Sequence, residues 1–472
     1  MELRDYTALT AEQMAALIRS RDVSPLELVE AALAAVEVTE PQVNAYSAVH
    51  ADEARQQAAM LEREAREGTF RGPLHGVPIG IKDLFLTKGA KVQRGSKLYA
   101  DSVATETAPA VERLLGAGAV AIGRTTTPEL GWKAASTSPL YGVTRNPWNP
   151  QKTAGGSSSG SAVAVADGTV PLTLGSDGGG SMRIPAAFCG IFTLKPTLGR
   201  IPTYPLSPSE HLSHAGPMTN SVADYALALD VLQGPDVRDP QALPGGNLCY
   251  RGSLEDLPPL RCVLAPTLFG APVAPRVAGV IAEAFASIRA EFPVSVVDGT
   301  VDWPDPIDIF DALWVARGTL YSGIGRDDLR KLDPGFARLI AQSSAITLGS
   351  HLRTLQARAA FNRRVAETFR DFDLLITPMV PIEPFAAEAD GPDDMNQDTP
   401  VPWARWTPFS YPFNITGQPA ASLPCGWSPS GLPVGLQVIG RRFEDDKVLQ
   451  FCHAWEGRHP WRTHRPAVFA GN

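Results

Sequence analysis

Thr153-Ala154-Gly155-Gly156-Ser157-Ser158-Ser159-Gly160-Ser161 is followed at short range by Gly175-Ser176-Asp177-Gly178-Gly179-Gly180-Ser181-Met182-Arg183-Ile184-Pro185. Two Gly/Ser loops thus flank one predicted helix and one predicted strand. Each loop alone reads as a flexible turn. A phosphate cradle is a second reading, but a P-loop closes with Gly-Lys-Ser/Thr at the helix start, and Gly160-Ser161 carries no lysine. The third reading is nucleophilic catalysis. Gly178, Gly179 and Gly180 would let the backbone approach a substrate and aim N–H groups at one spot beside the Ser181 hydroxyl, as an oxyanion hole does. A serine hydroxyl is a weak nucleophile and needs a base beside it.

Histidine is the usual base, yet none of the eight histidines sits in a motif. His75, at the entry to a predicted strand, reads as a structural hydrogen-bonding residue, while His211 and His214 are expected in a loop. Lys82 is the alternative, in Gly76-Val77-Pro78-Ile79-Gly80-Ile81-Lys82-Asp83-Leu84-Phe85. Drawn in among Ile79, Ile81, Leu84 and Phe85, its ammonium would lose hydration, its pKa would fall and the neutral amine would become a base. Without the serine loops, the same residue reads as a lysine that keeps its head in water.

Outward from these loops, short β-rich runs are predicted at 77–81, 120–123, 170–174 and 191–195, then at 261–265, 374–377, 421–424 and 434–439. Helices are predicted near 275–291, 353–371 and 445–456. Strands alternating with helices predict an α/β fold, a mixed twisted sheet covered by helices on both faces. At the N-terminus, Thr10 with Gln13 and Ser24-Pro25 with Glu27 each fit a helix cap, and a charged helix is expected over about 51–66 as an outer layer. The Pro/Gly/Asp-rich stretches 235–258 and 379–408 read as surface loops. No composition shift divides the chain, so a single domain is expected over 1–472. Within it, a helical segment of about 1–70 would pack on a core of about 71–235, followed by a variable pocket region of about 236–410 and a sheet and helix part of about 411–472.

A chain of 472 residues with 44% hydrophobic side chains can bury a large core, which excludes a disulfide mini-protein and a disordered regulator. Its 42 Lys plus Arg against 50 Asp plus Glu leave a net charge of −8, the wrong sign for nucleic acid or a membrane surface as partner. Five cysteines, with no CxxC and no Cys/His cluster, indicate neither a disulfide framework nor a zinc site. They suit a reducing cytoplasm, and the N-terminus lacks the order of a signal peptide. No apolar stretch reaches the ~18 residues of a membrane helix.

The pieces together resemble the amidase signature hydrolases. The resemblance rests on Gly76 to Asp83, on Gly155-Gly156-Ser157-Ser158, and on Gly179-Gly180-Ser181-Met182-Arg183-Ile184-Pro185-Ala186-Ala187-Phe188-Cys189-Gly190. It continues through Leu194 to Arg200, Gly216-Pro217-Met218 and Gly431 to Gly440. It implies a large mixed sheet enclosed by helices and a catalytic set of Lys82, Ser157 after a cis peptide bond, and the nucleophile Ser181. The backbone N–H groups of Gly178, Gly179, Gly180 and Ser181 would hold the oxyanion. Neither a metal nor an organic cofactor is implied, the expected partner is a small amide, and an oligomer is left open.

Departures from the family pattern are also informative. Gly178 stands where a bulkier residue is usual, Ser159 where glycine is common, and Gly131 where relatives often carry Met or Ala. Gly131, Trp132 and Ser158 are assigned to substrate binding, with Trp132 lining a widened pocket mouth. Asp177 and Arg183 read as loop stiffeners, and Cys189 and Cys425 as small buried hydrophobes.

Three functions are compatible with the resemblance. The first is a free-standing serine hydrolase that cleaves C–N bonds of small apolar or aryl amides, or related carbamates or esters, through an acyl-enzyme on Ser181. The second is the glutamine-hydrolysing A subunit of a tRNA-dependent amidotransferase. Thr407 stands where such subunits carry an acidic residue, although Arg358 matches their arginine for the glutamine carboxylate. The third is a scaffold of the same fold without chemistry, which the presence of Lys82, Ser157 and Ser181 disfavours.

Overall fold

The computed structural model describes residues 2–466 except Pro208, Glu210, Gly246, Asn247 and Thr300, so the expected C-terminal part lies outside the described residues from Ala467 onward. Eleven strands form one sheet: Tyr46–Val49 (β1), Pro78–Lys82 (β2), Val120–Thr125 (β3), Leu172–Asp177 (β4), Phe192–Lys195 (β5), His214–Thr219 (β6), Leu260–Leu264 (β7), Val294–Asp298 (β8), Leu374–Pro378 (β9), Ala420–Trp427 (β10) and Pro433–Gly440 (β11). Their spatial order is β1-β3-β2-β4-β6-β5-β10-β11-β9-β7-β8. The sheet is mixed. β2 runs parallel to β3 and β4, and β7 parallel to β8 and β9, while β6 and β10 pair antiparallel with their neighbours. Every residue of β2, β9 and β11 is buried. Side chains alternate across a strand, so such strands are covered on both faces, as the α/β expectation requires.

The N-terminal helices begin where their caps predict. Thr10 and Gln13 exchange reciprocal side-chain-to-backbone bonds at the start of Ala11–Ser20, and Ser24 and Glu27 do so at Pro25–Val43. The charged helix Ala51–Arg66 buries only Ala54, Ala58, Leu61 and Ala65, one narrow face, and forms an outer layer.

β1, β6 and β8 are not legible from sequence. His214, expected in a loop, opens β6 and is buried. Pro217 weakens the strand signal there. It is tolerated beside β5 because β5 pairs with β6 only at Met218 and Thr219. The stretch 379–408 is not a surface loop throughout. Its end forms a 3-10 turn, Pro402–Trp406, whose Trp403 and Trp406 are buried. Trp403 packs edge-on to Phe310 and Trp314, with ring centroids 5.5 and 5.2 Å apart, in an aromatic cluster behind the loop that follows β4.

Candidate active site

Parallel pairing of β2 and β4, in register at Ile81 and Leu174, brings their C-terminal ends out side by side. Lys82 ends β2, and the Gly178–Ser181 loop leaves β4. In open α/β sheets this is the edge where ligands collect. The Lys82 side chain is fully buried, and its Nζ lies 2.8 Å from Ser157 Oγ, 2.9 Å from Ser158 Oγ and 3.0 Å from Ser176 Oγ. The peptide bond between Gly156 and Ser157 is cis.

Burial holds the Lys82 pKa well below the ordinary lysine value. The charge of Asp177 opposes this and that of Arg317 adds to it. A neutral amine has two N–H donors and one lone pair, so one of its three hydroxyl neighbours must donate to it. Ser158 is not that one. Its Oγ–H points to the Ser176 carbonyl at 3.1 Å, and its Oγ accepts the Ser176 N–H at 3.3 Å. Ser158 therefore accepts from Lys82, which leaves Ser157 or Ser176 to donate to the lone pair.

The two serine loops are tied together by the Ser158 N–H, which donates to the Ser181 carbonyl at 2.9 Å. Among the described residues the Ser181 hydroxyl has no hydrogen-bond partner. Asp177 and Arg183 stiffen this loop as expected. Arg183 Nε and NH2 donate to the Asp177 carboxylate at 2.9 and 3.0 Å, and Asn414 Nδ2 donates to the same group at 2.9 Å. Burial would raise the Asp177 pKa, but the Arg183 guanidinium outweighs it and holds the carboxyl well below the usual range.

One of the four expected oxyanion donors is occupied. Gly180 N–H donates to Asp177 Oδ1 at 2.7 Å, so its amide is not available to a ligand. The amides of Gly178, Gly179 and Ser181 have no partner among the described residues. Gly180 itself has φ of 120°, where a side chain is strained, and a Cβ there would lie 2.6 Å from Ile184 Cδ1. At Gly178 a Cβ would lie 3.1 Å from Trp314 Cζ3, so the indole leaves little room for a side chain there.

The residues assigned to substrate binding separate. Gly131, at φ of 63°, abuts the serines, since a Cβ on it would lie 3.0 Å from Ser157 Oγ. Trp132 does not line a pocket mouth. It is buried, packs against Phe336 and leaves no room for a Cβ on Gly335, which would lie 2.2 Å from its ring. Ser158 is sealed, and its hydroxyl is fully engaged within the protein, so it holds Lys82 and does not face a substrate.

His214 and His75 are held by protein groups other than the serines. His214 has Nδ1 2.9 Å from the Leu212 carbonyl and Nε2 3.2 Å from Lys195 Nζ. His75 bridges the Arg71 N–H and the Leu61 carbonyl, a structural role. Thr407 turns its hydroxyl onto its own 3-10 carbonyls, and Arg358 donates to the carbonyls of Ile415 and His211. Sequence reasoning misses Ser176, Arg317 and Ser410, whose Oγ donates to the Gly179 carbonyl at 2.7 Å. Ser176 stands inside the quoted motif, but a strand-end serine carries no distinctive signal.

The family model described as Amidase matches residues 27–449. The chain is 34% identical to an acylamidase of Rhodococcus erythropolis, with 97% of each chain covered. It is 33% identical to the A subunit of a glutamyl-tRNA(Gln) amidotransferase from Chloroflexus aurantiacus, with 99% of each covered. Among solved structures it is similar to a bacterial aryl acylamidase of the amidase signature family, with a TM-score of 0.90, 29% identity and 98% and 99% of the two chains covered. A 6-aminohexanoate cyclic dimer hydrolase superposes with a TM-score of 0.89 at 28% identity, over 98% and 99% of the two chains.

Proposed function

The chain belongs to the amidase signature family, and from that premise we propose that it is a free-standing hydrolase of small amides with an apolar or aryl body, acting through an acyl-enzyme on Ser181. The observation that carries this reading is the buried Lys82 amine held among serine hydroxyls, 2.8 Å from Ser157 Oγ. Neutral Lys82 takes the Ser157 proton while Ser157 takes that of Ser181, whose oxygen attacks the amide carbonyl. The N–H groups of Gly178, Gly179 and Ser181 hold the negative oxygen. Ser157 passes a proton to the leaving amine as the C–N bond breaks. Water then attacks the acyl group by the same relay, releasing the acid and restoring Ser181.

The test is turnover of a p-nitroanilide panel by the purified chain, combined with fluorophosphonate labelling. Label on Ser181, with Ser181→Ala losing a rate factor on the order of a millionfold, is the expected result. Turnover by Ser181→Ala within tenfold of the parent, or label on another serine, overturns the assignment. Glutamine is included as a substrate because amidotransferase A subunits are among the relatives. Thr407, neutral and turned inward, and Arg358, engaged by carbonyls, favour little glutaminase activity. Robust glutamine hydrolysis would transfer the proposal to the amidotransferase reading.

A further inference from the structure

Arg317 begins the 3-10 turn Arg317–Tyr321 that follows the helix Ile307–Ala316. It is 9% exposed, and among the described residues its side chain makes one hydrogen bond, from NH2 to the Leu130 carbonyl at 2.9 Å. Its Nε is buried without an acceptor, and among the described residues no carboxylate pairs with it. Its guanidinium lies 4.5 Å from the centre of the Trp314 ring. Burial pushes its pKa down to about 10, so it remains a cation at neutral pH. A buried charge with no counter-ion and an Nε without an acceptor is destabilising, and the fold keeps one here, near enough to Lys82 for its charge to lower the lysine pKa.

Arg317 also stands at a junction. On one side it lines a cavity of about 420 Å³ with Leu212, Leu313, Leu320 and His351. On the other it holds the Leu130 carbonyl, one residue before Gly131, which abuts Ser157. Trp314, beneath the guanidinium, fills the space next to Gly178. Arg317 is thus linked to the serines through the Leu130–Gly131 backbone on one side and through Trp314 to the Gly178 loop on the other.

We propose that Arg317 is the anchor for a carboxylate carried by the substrate, so that the preferred amides have an apolar or aryl body ending in a negative charge. This rests on the amide-hydrolase reading above and adds to it the charge of the substrate. The guanidinium supplies a fixed fork of donors for a planar oxyanion, and the Trp314 indole packed against it holds that fork in place.

The first test compares N-(4-nitrophenyl)succinamate, with the carboxylate on the acyl half, and 4-butyramidobenzoate, with it on the amine half, against neutral N-(4-nitrophenyl)butyramide. The parent should favour one of the two carboxylates by about tenfold or more in kcat/KM, and Arg317→Gln should bring that ratio to about one. The arm that wins names the half that carries the charge. The second test reads binding without turnover. Ser181→Ala protein should bind monomethyl glutarate about tenfold more tightly than dimethyl glutarate by calorimetry, and adding Arg317→Gln should remove the difference. Equal ratios in parent and variant, or equal affinities in Ser181→Ala, overturn the proposal, and the affinity comparison decides even if Arg317→Gln does not fold. Hydrolysis of the neutral anilide without any Arg317-dependent preference refutes the anchor alone. Anion binding through Arg317 in a chain that turns over nothing and takes no label refutes the hydrolase reading alone.

Discussion

Lys82 and Gly131 each make a residue-scale claim. A protonated lysine cannot accept the Ser157 proton, so activity should fall as pH drops through the lowered Lys82 pKa and rise as the amine forms on the alkaline side. We expect kcat/KM for an uncharged anilide to follow that single limb, and Lys82→Arg to be as inactive as Lys82→Met because guanidinium stays protonated. An active Lys82→Arg enzyme would remove lysine from the mechanism. Gly131→Ala places a methyl 3.0 Å from Ser157 Oγ and 3.2 Å from Leu84 Cδ1 at a positive φ. It should lower kcat by roughly 100-fold, with a smaller effect on KM, since shifts of about 1 Å at reacting groups cost on that order. Stopped-time assays of both constants check it. Lys82, Ser157 and Ser181 are legible in the sequence because each sits in a patch whose chemistry is otherwise odd: a lysine inside an apolar strand, and serines inside glycine runs. Arg317 is not, because an arginine next to an apolar helix reads as surface until its burial is known. Trp132 is misread because an aromatic side chain gives the same signal in a core as in a pocket.

Among the elements, the helix Ala11–Ser20 depends on a cap from far along the chain as well as its own. Asp224 accepts the N–H groups of Ala11 and Glu12 at 2.9 and 3.0 Å, and joins that helix to Val222–Leu232. Burial raises the Asp224 pKa to about 6, against the pull of those two N–H groups. Asp224→Ala should cost about 1–3 kcal/mol by stranding buried donors at a helix start. Faster hydrogen exchange confined to residues 11–20, with a lower Tm, would register it, whereas unchanged exchange there would show that the cap is dispensable. Short apolar strands such as β3 and β9 can be read directly. β6 cannot, since Pro217 and the glycine beside it obscure a strand whose burial comes from its neighbours.

At the scale of the whole molecule, the sheet has an N-terminal half, β1 to β6, and a C-terminal half, β7 to β11, which meet where β5 pairs with β10. Arg183 fastens the two behind the nucleophile. From the N-terminal half it reaches the Ser410 carbonyl at 3.0 Å, Gln437 Oε1 at 2.8 Å and Asn414 Oδ1 at 2.6 Å. Arg183→Met leaves Asp177 ionised and buried without its partner, at a cost of about 3–5 kcal/mol. Tryptophan fluorescence, which reports mainly on the C-terminal half, and far-UV dichroism should then melt together at a lower Tm, with activity already lost below it. Separate transitions would mean that the halves are independent. The crowding of Lys82 carries a thermochemical consequence as well. The unfolded chain holds this lysine as an ammonium up to about pH 10.4, while burial in the folded chain lowers the pH at which the amine forms. Folding at mildly alkaline pH therefore ejects a proton into the solvent. Stability gains about 1.4 kcal/mol per pH unit from this residue between its two pKa values. The heat of unfolding must then depend on which buffer surrenders that proton, and in Lys82→Met the dependence should shrink by one proton equivalent.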